Sequence, residues 1–490
     1  MAHDPNALYA AYAARDARFD GVFFIGVTST GIYCRPVCTA KTPKPANCRF
    51  FDNAAAAEKS NFRPCLRCRP ELAPGNAPID DGQRIAALVA RRIEEGMADA
   101  DAGLEQIAER FGWSSRQIRR MLQKQLGVSP IELVQTRRLL LAKQLLTETK
   151  LPISRVAYAS GFASLRRFND AFGKRYGMAP TRFRRAADDL APERAPSGVL
   201  ALRLGYRPPF DWPAMVEFLS ARALAGVEAV VSGVYLRTAT LGSHVGWVRV
   251  HDQTTERALV VELSDSLVPV LPTLLGRLRQ LFDLNARPDV IAEHLARDER
   301  LQALVAKSPG LRAPGAFDGF ELALRAVLGQ QITVKAASTL GSRVVAAYGA
   351  AVDTPHDALT RAAPTAERLA AASVEELASL GIVRSRASTI VALAREVAER
   401  RLILEPGGDP EATMAQLVAL RGIGAWTAQY IALRALRWTD AFPKEDVVLR
   451  KQLGGISARD AELISQAWRP WRSYATLHLW RGARRRGWTR

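Results

Sequence analysis

No stretch of this chain approaches the roughly 20 uninterrupted apolar residues that a membrane helix needs. Met1 to Asp20 is polar and carries acids, so no secretory leader is read there and a cytoplasmic protein is expected. Cysteine is scarce: the 490 residues hold five, all within the first 68. Acidic residues are also in short supply, 49 Asp plus Glu against 68 Lys plus Arg, which leaves a formal net charge of +19. Such an excess of cationic side chains favours a polyanionic partner, nucleic acid foremost.

The few cysteines are grouped. Cys34 and Cys38 form a C-x3-C pair in GIYCRPVC, and Cys65 and Cys68 a C-x2-C pair in RPCLRCRP, with 26 residues between the pairs. A reducing compartment gives disulfides little use. Two close pairs separated by a loop can set four thiolates around one tetrahedral zinc. A disulfide pair, a structural metal site and a reactive thiol remain open on spacing alone. Cys48, between the pairs, is read as a bystander.

Ala73–Gly82 (APGNAPIDDG) and Ala186–Gly198 (AADDLAPERAPSG) read as linkers, and near Arg287–Pro288 the pattern turns from strand-like to helical. Between the linkers lies an internal repeat. Ile107-Ala108 corresponds to Val156-Ala157, Gly112 to Gly161, Trp113 to Phe162, Gly127 to Gly177 and Pro130 to Pro180, at a shift of 49 and then 50 residues. Each copy reads as a short amphipathic helix, a tight glycine turn and a Ser-started second helix with arginines outside, that is, a helix-turn-helix. The second helix would enter the major groove of DNA, with Arg116, Gln117 and Arg120 in one copy and Arg166, Arg167 and Asn169 in the other near bases or phosphates.

Farther on, SGVYLRTATL, GWVRVHD and RALVVEL read as strands, while WPAMVEFLSARAL and VLPTLLGRLRQLFDL read as helices. Residues 288–490 read as all-helical. There LVALRGIGAWTAQYIALRAL is a helix, a short turn and a second helix. Gly422 and Gly424 would let backbone N–H groups at the second helix's N-terminus approach a phosphate, as in a helix-hairpin-helix. Asp446 follows Gly424 by 22 residues, in FPKEDVVLRK.

YRPPFDWPAMVEFLSARAL, PGAFDGFELALRAVLGQQI, GIGAWTAQYIALRAL, FPKEDVV and RPWRSYATLHLW resemble the 3-methyladenine DNA glycosylase II (AlkA) family, over about 200–490. The resemblance implies Asp446 as the catalytic carboxylate, stabilising an oxocarbenium-like sugar while the N-glycosidic bond breaks. It implies a pocket of Phe218, Trp426, Tyr430 and Trp480 for a base flipped out of the stack, electron-poor bases suiting aromatic faces. Bifunctional relatives carry a lysine where Trp426 stands. An indole cannot attack C1′, so simple hydrolysis is expected. Those relatives often hold an iron–sulfur cluster on C-terminal cysteines, for which this chain has no ligands. The family's inserting wedge is often leucine; the matching residue here is Gln331.

The segment from Phe19 through Glu71 resembles the N-terminal domain of the Ada methylation-response protein, and the duplicated helix-turn-helix resembles its AraC-type domain, together over about 1–185. This implies one zinc on Cys34, Cys38, Cys65 and Cys68, with Cys34 also accepting a methyl group from a DNA methylphosphotriester. Ada proteins often end in an alkylguanine methyltransferase domain with its own cysteine; no thiol stands there in this chain.

The expected fold class is multidomain α+β, mainly helical. Residues 1–75 form a small zinc-binding α/β domain, 83–185 an AraC-type double helix-turn-helix, 186–198 a linker, 199–287 an AlkA-like α/β subdomain, and 288–490 the helix-hairpin-helix glycosylase fold. The expected function is a combined response to DNA alkylation: base excision that leaves an abasic site, and methyl uptake on Cys34 that regulates transcription. Expected partners are damaged double-stranded DNA, promoter DNA and RNA polymerase. One alternative is a damage-sensing transcription factor with a non-catalytic glycosylase fold. Another is a glycosylase whose N-terminal half only recruits it to DNA.

Overall fold

The computed structural model describes residues 4–74, 105, 114–188 and 200–485. The chain forms two compact units, one of residues 1–208, 253–276 and 284–286, the other of residues 209–252, 277–283 and 287–490. Most of both expected linkers, and all of Leu104–Trp113 in the first repeat copy except Glu105, lie outside the described residues.

The first unit begins with the helix Pro5–Ala13, started by the Asp4 side chain and a proline at the first turn. A four-stranded sheet follows, in the order Cys48–Phe51, Phe24–Val27, Ile32–Cys34, Arg63–Pro64. The first three strands pair antiparallel and the last runs parallel to its neighbour. Gly26 sits where a Cβ would meet the Phe51 and Phe62 rings at 2.8 and 2.9 Å, so the two rings can close over the strand only if that residue is glycine.

The described part of the repeat carries its punctuation twice. Ser114 starts the helix Ser115–Leu126 and Ser164 the helix Leu165–Tyr176, each accepting from the N3 backbone N–H. Gly127 and Gly177 end them, both at φ 69°, a left-handed cap that favours glycine. The 19-residue helix Pro130–Glu148 bridges the copies. It buries Lys143 in an ion pair with Glu71, and Thr136 donates to Glu58 at 2.9 Å. Glu58 also accepts from the Tyr33 hydroxyl at 3.0 Å and faces Arg175 at 3.3 Å, which ties the helices to the sheet.

Two strands of this unit, Leu200–Gly205 and Ala258–Leu263, pair antiparallel. The first carries no strand pattern in the sequence, because Leu, Ala and Arg are strong helix formers and only the partner strand overrides that preference. In the second unit, Glu228–Val231, Val234–Leu241 and His244–Gln253 form an antiparallel meander beside the helix Trp212–Ser220. Glu228–Val231 likewise shows no pattern in the sequence, since four residues are too few to show a period. The helix Gly319–Leu328 is almost wholly buried and forms the core with Arg384–Ala398 and Ala425–Arg434. Gly319 allows this, since a Cβ there would meet the Leu404 carbonyl oxygen at 1.8 Å.

Candidate active site and metal centre

The sheet register brings the cysteines together. Tyr33 lies opposite Pro64 in the parallel pair, so Cys34 and Cys65 leave the sheet side by side, and the Cys65 N–H donates to the Tyr33 carbonyl at 3.0 Å. A turn closed by Cys38 N–H on the Arg35 carbonyl, 3.1 Å, brings in Cys38. The Sγ atoms of Cys34, Cys38, Cys65 and Cys68 all lie within 4.8 Å of one another. Cys34, Cys38 and Cys65 are buried and Cys68 is half-buried; none is in a disulfide. Cys48 stays outside the cluster, with its thiol on the Lys44 carbonyl at 3.5 Å.

This donor set fits zinc. Sulfurs at the corners of a tetrahedron with Zn–S near ~2.3 Å are about 3.8 Å apart. Burial pushes the Cys68 thiol up, so four sulfurs this close need a cation to be thiolates together. Arg35 completes the surroundings. Its backbone N–H donates to Cys68 Sγ at 3.3 Å, and its guanidinium reaches the Cys68 carbonyl at 3.0 Å and pairs with buried Asp20.

On the repeat, Arg116, Gln117 and Arg120 are exposed on Ser115–Leu126, opposite buried Ile118 and Leu122. Gln117 already uses its Oε1 to close the capping box with Ser114, at 2.8 Å from the Ser114 N–H. Arg166, Arg167 and Asn169 are exposed opposite Phe168 and Phe172. Both sets face solvent on second helices of the repeat.

In the second unit, the sequence LRGIG forms the hairpin. Gly422 has φ 95° and no room for a Cβ, which would meet Thr389 Oγ1 at 2.1 Å. Gly424 differs: it is extended, with open space where a Cβ would lie, and it caps the helix Ala425–Arg434. Trp426, Tyr430 and Arg434 are spaced by four on that helix and share one face. The Trp426 and Tyr430 rings stack at 5.4 Å, 8° from parallel, and Trp480 leans on Tyr430 at 6.2 Å.

Asp446 closes the group. It is 6% exposed and is the N-cap of Val447–Gln452. One carboxylate oxygen accepts from the Leu449 N–H at 2.8 Å and the Trp480 indole at 3.1 Å; the other accepts from the Trp426 indole at 2.9 Å. Trp426, Tyr430, Asp446 and Trp480 line one cleft of about 1130 Å³. Phe218 does not reach its wall. It is covered by the guanidiniums of Arg222, at 3.7 Å from the ring centroid, and Arg434, at 4.9 Å. Gln331 is not on the wall itself but lies between two residues that are, Gly329 and Ile332, exposed in the turn between Gly319–Leu328 and Val334–Tyr348.

Several residues went unnoticed in the sequence. Arg434 donates to the Tyr430 hydroxyl at 2.7 Å. Burial raises the Tyr430 phenol, but Arg434 and Arg222 more than offset this and hold it below its ordinary value. Glu228, Arg237, Glu321 and Arg325 form an alternating ion-pair ring on the cleft wall, with Arg237 on Glu321 at 2.9 Å and Arg325 on Glu228 at 2.6 Å. The spacing of four from Tyr430 to Arg434, and from Glu321 to Arg325, was the available signal.

His478, two residues before Trp480, is buried, and its imidazole is pushed down to about 4 by burial. The unfolded value, near 6.5, is higher. The unfolded chain therefore binds this proton first. His478 contributes stability that is full above pH 6.5 and lost as pH falls from 6.5 to 4, roughly 3 kcal/mol in all. The thermal midpoint of this unit, followed by tryptophan fluorescence, is expected to fall between pH 7 and 5. His478→Gln is expected to flatten that fall.

Four family descriptions match the chain: "Metal binding domain of Ada" over 7–71, "Helix-turn-helix domain" over 107–186, "AlkA N-terminal domain" over 201–318 and "HhH-GPD superfamily base excision DNA repair protein" over 324–473. The DNA-3-methyladenine glycosylase 2 of Escherichia coli is 37% identical over 56% of this chain and 95% of its own. The Bacillus subtilis protein "Bifunctional transcriptional activator/DNA repair enzyme AdaA" is 32% identical over 36% of this chain and 81% of its own. A Mycobacterium tuberculosis protein, "Probable bifunctional transcriptional activator/DNA repair enzyme AlkA", is 41% identical over 98% of this chain and 97% of its own. With that identity along essentially its whole length, the chain belongs to the family of bifunctional AlkA-type transcriptional activators and DNA repair enzymes.

Proposed function

We propose that this chain excises alkylated bases of the 3-methyladenine type from double-stranded DNA, leaving an abasic site, and takes methyl groups from DNA methylphosphotriesters onto Cys34. The observation that carries the first part is the Asp446 carboxylate, aimed by two indoles at a cleft wide enough for a base. In the reaction the base leaves with the electrons of its N-glycosidic bond, and positive charge grows on the sugar. The buried Asp446 carboxylate stabilises that charge, and water adds to C1′ and gives up one proton to the solvent. Three donors hold the carboxylate, and a carboxylate offers about four acceptor sites, so it keeps capacity to orient that water. Trp426 and Trp480 supply aromatic faces for the base. The hairpin and Gln331 would hold the phosphate backbone and fill the gap left in the stack.

For the second part, Cys34, Cys38, Cys65 and Cys68 would hold zinc, which when bound keeps the sulfurs deprotonated at neutral pH. Cys34 Sγ attacks the methyl carbon of a phosphotriester. An S–C bond forms, the O–C bond breaks, and the phosphodiester leaves with its negative charge. The thioether carries one negative charge fewer than the thiolate, so the domain repels phosphate less. Binding of promoter DNA through Arg116, Gln117, Arg120, Arg166, Arg167 and Asn169 is strengthened, and RNA polymerase is recruited there.

The test is incubation of the purified protein with DNA methylated by a labelled agent, following free methylpurines and protein-bound label together. Both products are expected. Free base alone would remove methyl transfer from the proposal, and protein label alone would remove base excision.

A further inference from the structure

The reaction needs the wedge and the base pocket in fixed register, since the lesion must enter the pocket as the wedge takes its place. Gln331 has φ 56°, a left-handed conformation that non-glycine residues adopt only when their surroundings impose it. The neighbouring residue supplies that constraint. The Gln330 side-chain amide donates to the Gly422 carbonyl at 2.9 Å and to the Thr427 hydroxyl at 3.0 Å. The backbone carbonyl of Gln330 accepts from Arg386 at 2.7 Å. Arg386 lies on Arg384–Ala398, the helix whose Thr389 donates to the Arg421 carbonyl at 2.9 Å and leaves no space beside Gly422. The wedge turn and the hairpin turn are thus clamped to one helix. Thr427 directly follows Trp426, whose indole donates to Asp446.

We propose that Gln330 is a positioning residue: its amide locks the Gln331 turn to the hairpin and to the start of the Trp426 helix, so that strand wedging delivers the base to Asp446. This rests on the reading of the chain as a glycosylase with Gln331 as its wedge. Gln330 is not among the residues that line the cleft. It acts by holding Gln331, and only a lesion that must be pulled from a paired stack requires that hold. A misplacement of about 1 Å in such a framework costs around 100-fold in rate.

The experiment compares single-turnover excision of 3-methyladenine from a paired duplex and from an unpaired bubble, using the full chain and the variants Gln330→Leu, Thr427→Val and Gln331→Ala. Gln330→Leu is expected to lose about tenfold or more on the paired duplex and to stay within about twofold on the bubble. Thr427→Val, which removes one of the two acceptors at nearly constant volume, is expected to show the same pattern with a smaller loss. Equal losses on both substrates, or no loss on the duplex, would overturn the proposal. The Thr427→Val comparison decides the matter if Gln330→Leu does not fold. If Gln331→Ala leaves duplex excision unchanged, the wedge reading itself fails; if no chain excises from either substrate, the glycosylase reading fails.

Discussion

Asp446→Asn is expected to slow base release from methylated DNA by about 10³-fold or more, with affinity for DNA containing an abasic site nearly unchanged. The carboxylate accepts from both Trp426 and Trp480, and both indoles are donors only. An amide has no charge to set against a developing oxocarbenium ion. It also has one oxygen where the carboxylate has two; with that oxygen kept on the Leu449 N–H and the Trp480 indole, its NH2 must face the Trp426 indole N–H. One buried donor then loses its partner, at a cost of about 1–3 kcal/mol in stability. Asn is as good an N-cap as Asp, so the helix Val447–Gln452 is expected to survive. Single-turnover kinetics with enzyme in excess measure the first effect and a binding titration the second. Retained excision would move the catalytic role away from Asp446.

Cys34→Ser is expected to abolish protein-bound methyl label while excision continues at the unaltered rate. A serine hydroxyl is not ionised at neutral pH, so the nucleophile is lost outright. It is also a poor partner for a cation held by three remaining sulfurs, and zinc content measured on the purified variant is expected to fall. Cys34 is 5% exposed, at the end of its strand, and is set beside Cys65 by the parallel pairing. Label persisting in the variant would place the acceptor on Cys38, Cys48, Cys65 or Cys68. Loss of excision would mean that the methyl-accepting and base-excising parts do not act independently.

Much of this architecture is local and was therefore legible. The repeat could be read because Ser114 and Ser164 start helices and Gly127 and Gly177 end them, each within a few residues of the feature it controls. The strand Val234–Leu241 and the helix Trp212–Ser220 show their periods within one window. The strand Leu200–Gly205 did not show, since its residues prefer helix and Ala258–Leu263 lies more than 50 positions away.

The sites divide in the same manner. Cysteine spacing and the LRGIG turn mark the candidate groups, because metal ligation and phosphate approach impose short-range spacing, while spacing alone leaves a disulfide, a structural metal site and a reactive thiol open. Only the tertiary structure decided that Cys34 meets Cys65, that two indoles aim Asp446, that Arg222 and Arg434 cover Phe218, and that Gln330 spans to Thr427. Apart from Arg222, which is local to Phe218, each of these joins residues far apart along the chain and costs chain entropy that no local preference repays. Those of the second unit form because burying the helices Gly319–Leu328 and Ala425–Arg434 in one core brings such groups together, and a buried donor or charge must then find a partner. Cys34 meets Cys65 instead through the parallel pairing of Ile32–Cys34 with Arg63–Pro64.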